Sequence, residues 1–214
     1  MLKYLTYIEN EFLNININNP NELLSELNLY KKMYCKYKGT TMHNPLYLGN
    51  MTSLDVHNFL LPTNESFTIS WDIDLIYQKF SNYQTTHFLS LEEFNSLFRS
   101  DIENSNSELK KIYKKVKHIH SHTYNDILTL YFSPFDCNLI LDGRHRYIEF
   151  AKLNPNQLIN ISYFNSNDVI DCIVSAFDLV QYIIINNIYE LYNFLFKDGS
   201  LEQMISFEKC RLSL

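Results

Sequence analysis

The sequence Asn138-Leu-Ile-Leu-Asp-Gly-Arg-His-Arg-Tyr-Ile-Glu-Phe-Ala-Lys-Leu153 predicts a strand, a tight turn and the start of a helix. A short apolar run stops at Asp142-Gly143, and apolar residues then recur with helical period from Tyr147 to Leu153. Gly143 is one of only four glycines in the chain. Because glycine adopts positive φ and lets a ligand approach the backbone closely, we expect the turn at Gly143 and a helix that begins near Arg144.

The first turn of this helix carries Arg144, His145 and Arg146. Backbone N–H groups at a helix N-terminus bind anions, and arginine binds phosphate in a bidentate way. Basic residues oppose the helix dipole at this end, and such a locally unfavourable choice is expected at a functional site. The alternative is a helix start with solvated basic residues. We favour a phosphate site, in which His145 and Arg146 face one pocket.

The segments around this stretch predict a hairpin and a second helix. Asp126–Phe132 alternates as a strand, Ser133–Cys137 fits a hairpin connection, and Asn138–Leu141 is the returning strand. Ser90 can cap a helix that runs from Leu91 to about Arg99.

The box Asp142-Gly-Arg-His-Arg146 resembles the signature of the ParB/sulfiredoxin-like superfamily, which includes the ParB N-terminal-like nuclease and nucleotide-binding domains. Three further parts of the chain resemble segments of these domains: Ile69–Ile76, Asn82–Gln84 with Leu89–Leu97, and Ile159–Phe164. The resemblance spans roughly residues 67–164. It implies an α+β fold in which a small mixed sheet is packed with helices.

The resemblance also implies a nucleotide-binding enzyme that uses ATP or CTP, with Mg²⁺ as a further cofactor. It implies nucleotide hydrolysis or phosphoryl transfer to a small-molecule acceptor. The nucleotide-binding residues would be Gly143, Arg144, His145, Arg146 and Tyr147. His145 would donate a hydrogen bond to a phosphate or carry a proton, and Asp142 would orient the turn or bind Mg²⁺ or a substrate amine. Sulfiredoxin has a cysteine where this chain has Arg144, so its reductase chemistry is not expected.

Two alternatives to this enzyme stay open. The domain can instead be a regulatory or partner-binding module that holds a nucleotide or nucleic acid without turnover, or a metal-dependent nuclease. The net charge of −6 argues against a protein that mainly grips a nucleic acid backbone. The lysine-rich segment over 110–117 is either a nucleic-acid contact or, more commonly, a solvated helix face.

Further carboxylates offer a metal site or a general base. On a strand, Asp72 and Asp74 would share one face, where they could hold Mg²⁺ against phosphates or activate a hydroxyl. Glu92 has the same two roles open to it. The simpler alternative is a polar strand face for the aspartates and favourable first-turn acids for Glu92 and Glu93.

Three histidines form a second candidate metal site. His118, His120 and His122 would point to one face of a strand and could bind zinc or iron. Alternate residues on a strand lie about 6.5 Å apart, so three in a row cannot all reach one metal without a bend. The alternatives are a polar, partly exposed segment or a single histidine that lines the pocket.

The predicted domain at residues 67–164 is flanked by two extensions. Residues 1–66 contain one amphipathic helix that starts near Pro20, and residues 165–214 are helical. We expect a helix that starts after Asn167 or Asp168, with Asn186-Asn187 as a place where it can break. Its apolar face fits a core or a homodimer surface.

Polar residues interrupt this C-terminal region, so we expect no membrane span. The start of the chain shows no secretory pattern and the four cysteines are scattered, so we expect a cytoplasmic protein.

Overall fold

The computed structural model describes residues 1–15, 20–80, 86–104, 126–197 and 201–214. These residues form two compact units. The terminal unit contains Met1–Leu75 and Ile170–Leu214, and the central unit contains Ile76–Val169. The two extensions that the sequence predicts contribute most of the terminal unit. The central unit begins nine residues after the start of the predicted 67–164 and ends five residues after its end.

The terminal unit is built from helices and one hairpin. Its elements are α1 (Leu2–Leu13), α2 (Pro20–Tyr37), β1 (Leu54–Leu60), β2 (Ser66–Asp72) and a long C-terminal helix, Ala176–Lys197. The start of α2 at Pro20 is confirmed, because proline fits the first helical turn. β1 and β2 pair antiparallel around the Leu61–Asn64 turn, and the C-terminal helix packs on β2 and α2. Helix α1 and strand β1 were not predicted.

The C-terminal helix differs from its prediction in two ways. A 3₁₀ segment, Ser166–Cys172, occupies the predicted helix start, and the α-helix begins only at Ala176. The helix also continues through Asn186 and Asn187. The Asn187 amide donates to the Ile205 carbonyl at 2.8 Å and accepts from the Ile205 N–H at 2.7 Å, so it does not compete with the helix backbone.

Most apolar residues of the C-terminal helix are core residues of the chain. Leu179, Ile183, Ile184 and Ile188 are all buried, and Phe194 and Phe196 are the exposed large apolar side chains among its described residues. The homodimer through this helix stays a prediction. None of the described helices has the length and apolar character that crossing a membrane requires.

The central unit contains a four-stranded mixed sheet with helices packed on it. Its elements are α3 (Ile73–Phe80, which starts in the terminal unit), β3 (Thr86–Leu89), α4 (Leu91–Leu97), α5 (Arg99–Asn104), β4 (Ile127–Phe132), β5 (Cys137–Asp142), α6 (Arg144–Leu153) and β6 (Ile159–Asn165). The strand order is β3-β6-β4-β5. β4 and β6 are parallel, and the other neighbouring pairs are antiparallel. The predicted α+β class with a small mixed sheet is confirmed.

Local predictions in the central unit hold at the hairpin and at the helix cap. Ser133–Phe135 forms a 3₁₀ turn between β4 and β5. Ser90 caps α4 in a capping box with Glu93. The predicted helix from Leu91 to Arg99 is interrupted, because Phe98 leaves helical geometry with φ −106° and ψ 18°. Phe94 and Phe98 are both buried, and their ring centroids lie 4.5 Å apart. This packing holds the end of α4 in the core at the point where the helix is interrupted.

Candidate functional site

The turn between β5 and α6 is built as the sequence predicts. Gly143 has φ +97° and occupies the cap position, and α6 begins at Arg144. A Cβ on Gly143 would lie 3.0 Å from two nitrogens of Arg146 and 3.1 Å from the Ile127 Cα. Both the positive φ and the close packing require glycine here. The first turn of α6 contains no acidic residue, and no side chain caps it among the described residues.

Arg146 points into the central unit and joins a small polar network. Its Nη2 lies 2.5 Å from Asp142 Oδ2 and 3.4 Å from the Tyr77 hydroxyl. The Tyr77 hydroxyl in turn lies 3.1 Å from Asp142 Oδ2. Burial raises the pKa of Tyr77, the charge of Asp142 raises it further, and Arg146 opposes both. Tyr77 is therefore a neutral hydrogen-bond donor throughout the physiological range.

Arg144 and His145 have different surroundings from Arg146. The Arg144 Nη2 lies 3.6 Å from Asp101 Oδ2, and Asp101 also accepts the Ile140 N–H at 3.1 Å. His145 is exposed, whereas Arg146 is buried. The two side chains that we expected to face one pocket thus differ in exposure, and their sharing of a pocket stays a prediction. The guanidinium groups of both arginines have carboxylate partners, and the His145 imidazole and the 40% exposed Asp142 carboxylate are open to solvent.

A second polar cluster lies at the start of β4, and it was not predicted from the sequence. Asp126 accepts hydrogen bonds from the Asn160 amide and from the Ser162 hydroxyl, the latter at 2.9 Å. The Tyr77 hydroxyl lies 3.4 Å from the Asp126 carbonyl, so Tyr77 touches both clusters. Both clusters sit where β4 begins and β5 ends. The sequence offered one indication of this cluster: Asp126 begins one strand of the predicted hairpin and Asp142 ends the other, so the two residues lie at the same end of the hairpin.

Asp72 and Asp74 do not form the predicted carboxylate pair on a strand face. β2 ends at Asp72 and α3 begins at Ile73, so the two residues do not alternate along a strand. Asp72 is 1% exposed and accepts from the Leu75 N–H at 3.1 Å, which is a helix-capping contact. It also accepts from the Tyr47 hydroxyl and the Met51 N–H. These hydrogen bonds anchor the preceding loop, and the role of Asp72 as a catalytic base or Mg²⁺ ligand stays a prediction.

Asp74 likewise has a local partner. Its Oδ2 accepts a hydrogen bond from the Thr52 hydroxyl at 2.6 Å. The histidines His118, His120 and His122 lie outside the described residues, as does the lysine-rich segment. Within the described ranges, no group of three or more His, Cys, Asp or Glu side chains is arranged to hold a metal ion.

Glu92 and Tyr147 line a groove in the central unit. The groove has a volume of about 950 Å³ and lies between α4, α5 and the loop over residues 155–158, with Tyr147 of α6 at one wall. The Tyr147 hydroxyl donates to Asn95 Oδ1 at 2.8 Å, and its ring stacks on Phe94 at 5.1 Å. Glu92 is exposed in the first turn of α4. Of the predicted site residues, the structure thus places Glu92 with Tyr147, and Asp142 with Gly143 and Arg146.

Comparison with known proteins gives no relative for this chain: no family model, no curated protein and no solved structure matches it.

Proposed function

We propose that the central unit binds a nucleotide through its phosphates at the N-terminus of α6 and catalyses phosphoryl transfer or hydrolysis there. The observation that carries the proposal is Gly143, a cap residue with φ +97° at which a Cβ would lie only 3.0–3.1 Å from neighbouring atoms. It opens a helix with Arg144, His145 and Arg146 in the first turn. Backbone N–H groups at such a start bind phosphate. Membership of the ParB/sulfiredoxin-like superfamily is part of the same proposal.

The residues of the turn have distinct roles in this proposal. The backbone N–H groups of the first turn of α6 hold phosphate oxygens, and the exposed His145 donates a hydrogen bond or moves a proton. Arg146 is held in place by Asp142 and Tyr77, so its guanidinium is a fixed hydrogen-bond donor whose charge the Asp142 carboxylate partly offsets. Arg144 adds a second guanidinium, beside Asp101. Fixed positive charges stabilise the negative charge of a transferring phosphoryl group.

Asp142 is the carboxylate that fits a magnesium ion best in this arrangement. Its side chain is 40% exposed, and Oδ2 is the oxygen that Arg146 and Tyr77 contact. Oδ1 has no hydrogen bond from the described residues. Mg²⁺ is usually held by one or two carboxylates together with water and substrate phosphates. Asp142 would orient the ion, and the ion would neutralise charge on the phosphates of ATP or CTP.

A thermal-shift screen tests the binding step. The full chain is melted with ATP, CTP, GTP, ADP or phosphate, with and without Mg²⁺. A ligand at about 100 times its Kd adds roughly 2.7 kcal/mol to stability. We expect a shift with a nucleotide that is lost in His145→Ala and retained in His87→Ala. Both histidines are exposed residues of the central unit, which makes them matched variants.

Two results would contradict the proposal. One is the absence of a shift with every ligand. The other is an equal shift in His145→Ala and the wild type, which would put the nucleotide elsewhere. Release of phosphate from the nucleotide that binds then separates an enzyme from a non-catalytic nucleotide-binding module. Nicking of plasmid DNA under the same conditions would instead indicate the nuclease alternative.

A further inference from the structure

The groove beside Tyr147 has a lining that differs in chemistry from the α6 turn. One wall is formed by α4 and α5, where a polar stripe of Glu92, Asn95, Ser96, Arg99 and Glu103 is flanked by Leu91 and Ile102. The opposite wall is the loop over residues 155–158. Its volume of about 950 Å³ lies within the usual range of small-molecule sites. The groove is therefore large enough for a ligand, and its wall chemistry indicates which kind.

The charged groups of the groove do not neutralise one another. Arg99, Glu92 and Glu103 are exposed, and none of them forms an ion pair or side-chain hydrogen bond with another described residue. Arg99 and Glu103 lie one turn apart on α5, where their side chains project from the same face. The groove thus presents free N–H donors and free carboxylate acceptors next to each other.

This combination excludes two ligand classes. A polyanion such as a phosphate chain would meet two carboxylates for one guanidinium, which leaves the lining with a net negative charge. An apolar ligand would strip water from three charged groups without replacing their hydrogen bonds, which is costly. A ligand with many hydroxyl groups meets both needs, because each hydroxyl donates one hydrogen bond and accepts two. Hydrogen bonds to ionised side chains are the stronger ones.

The loop over residues 155–158 adds both amide groups and apolar surface to the groove. Gln157 and Asn156 add amide donors and acceptors, and Pro155 and the 55% exposed Leu158 add apolar surface. A sugar ring presents hydroxyl groups at its rim and C–H groups on its faces, which matches a wall of this composition. We infer that the groove binds a neutral polyhydroxylated ligand, a saccharide or free polyol. This site is separate from the proposed nucleotide site and does not require it.

Amide chemical-shift mapping on the full chain tests the inference. The probes are maltotriose, cellotriose and chitotriose, with myo-inositol as a single-ring polyol and inorganic phosphate as an anion. We expect at least one of the neutral probes, at millimolar concentration, to shift the amides of Asn95, Ser96 and Gln157. A trisaccharide that binds would identify a sugar chain, and binding of inositol alone would identify a free polyol.

Substitutions then locate the binding. Arg99→Ala and Glu103→Gln each remove charge-assisted hydrogen bonds, and we expect about tenfold weaker binding, which corresponds to 1.4 kcal/mol. Glu22→Gln, at an exposed glutamate on α2, is the matched control and should bind as the wild type does. All three side chains are exposed, so the variants should fold. The inference is overturned if no neutral probe shifts these amides, if phosphate is the only probe that does, or if affinity survives both groove substitutions.

Discussion

Replacing Gly143 by alanine tests whether the turn before α6 is as tight as its geometry indicates. Alanine would keep the chain length and add one methyl group at φ +97°. That methyl group would lie 3.0 Å from the Arg146 guanidinium and 3.1 Å from the backbone of Ile127. Arg146 is buried and Ile127 belongs to β4, so neither can move aside without disturbing the core.

The expected loss of stability has two parts. A left-handed backbone costs an ordinary residue about 1–2 kcal/mol, and overpacking a buried site costs about 1–3 kcal/mol. The reduced freedom of the unfolded chain returns roughly 0.4–1 kcal/mol. We therefore expect Gly143→Ala to destabilise the central unit by about 3 kcal/mol.

Gly39→Ala is the matched control for this prediction. Gly39 also has positive φ, at +75°, but a Cβ added there would meet no atom within 4 Å, so only the backbone cost applies. We expect a loss of about 1 kcal/mol there. Native-state hydrogen exchange of β4 amides for Gly143→Ala, and of β2 amides for Gly39→Ala, measures the two losses separately. Equal losses would refute the reasoning, because they would show that the close packing around Gly143 has no energetic consequence.

Three further outcomes follow from single contacts. Tyr77→Phe removes the hydroxyl that donates to Asp142, and we expect hydrogen exchange of β4 and β5 to show a loss of about 1 kcal/mol. Burial raises the pKa of Asp178 above its ordinary 3.8, although the Ser70 N–H donates to it. Because the pKa of Asp178 is higher in the native state than in the unfolded state, the wild type should lose stability relative to Asp178→Asn as the pH rises from 3.8 through the native pKa. Urea unfolding of both proteins across that pH range measures the difference in stability. A difference that does not change with pH would contradict the effect of burial. Ser90→Ala should cost about 1 kcal/mol in protection of the α4 amides, and no loss would mean that its capping box contributes nothing.

The parts of the central unit that the sequence predicted correctly are those set by local rules. The strand predicted over Asp126–Phe132 is present, although its residues are buried on both faces and do not alternate. The glycine at position 143 and the serine at position 90 each fix a backbone conformation through neighbours a few residues away. The structure places β4, the turn and the α4 cap accordingly. Such features need no knowledge of the rest of the fold.

The incorrect predictions depend on partners that are remote in the sequence. Asp72 and Asp74 were assigned to one strand face, but β2 ends at Asp72 and Asp74 lies in α3. Asp72 caps α3 and accepts hydrogen bonds from the Tyr47 hydroxyl and the Met51 N–H. Asn187 was a candidate helix break, but the backbone of Ile205 satisfies its amide. A polar residue with a satisfied distant partner has the same sequence signal as one at a turn or an active site.

The pairing of Arg146 with Asp142 limits how the proposed phosphate site can work. A guanidinium that already has a carboxylate at 2.5 Å contributes less attraction to an anion than a solvated one would. Arg146 is the buried partner of this pair, so drawing Asp142 away from it would leave the guanidinium charge uncompensated. In the proposed site, phosphate would therefore bind mainly through the backbone N–H groups of α6 and the exposed His145, and a cation at Asp142 would offset the carboxylate. Nucleotide affinity at the turn should then depend on Mg²⁺, and equal affinity with and without the ion would rule out a metal role for Asp142.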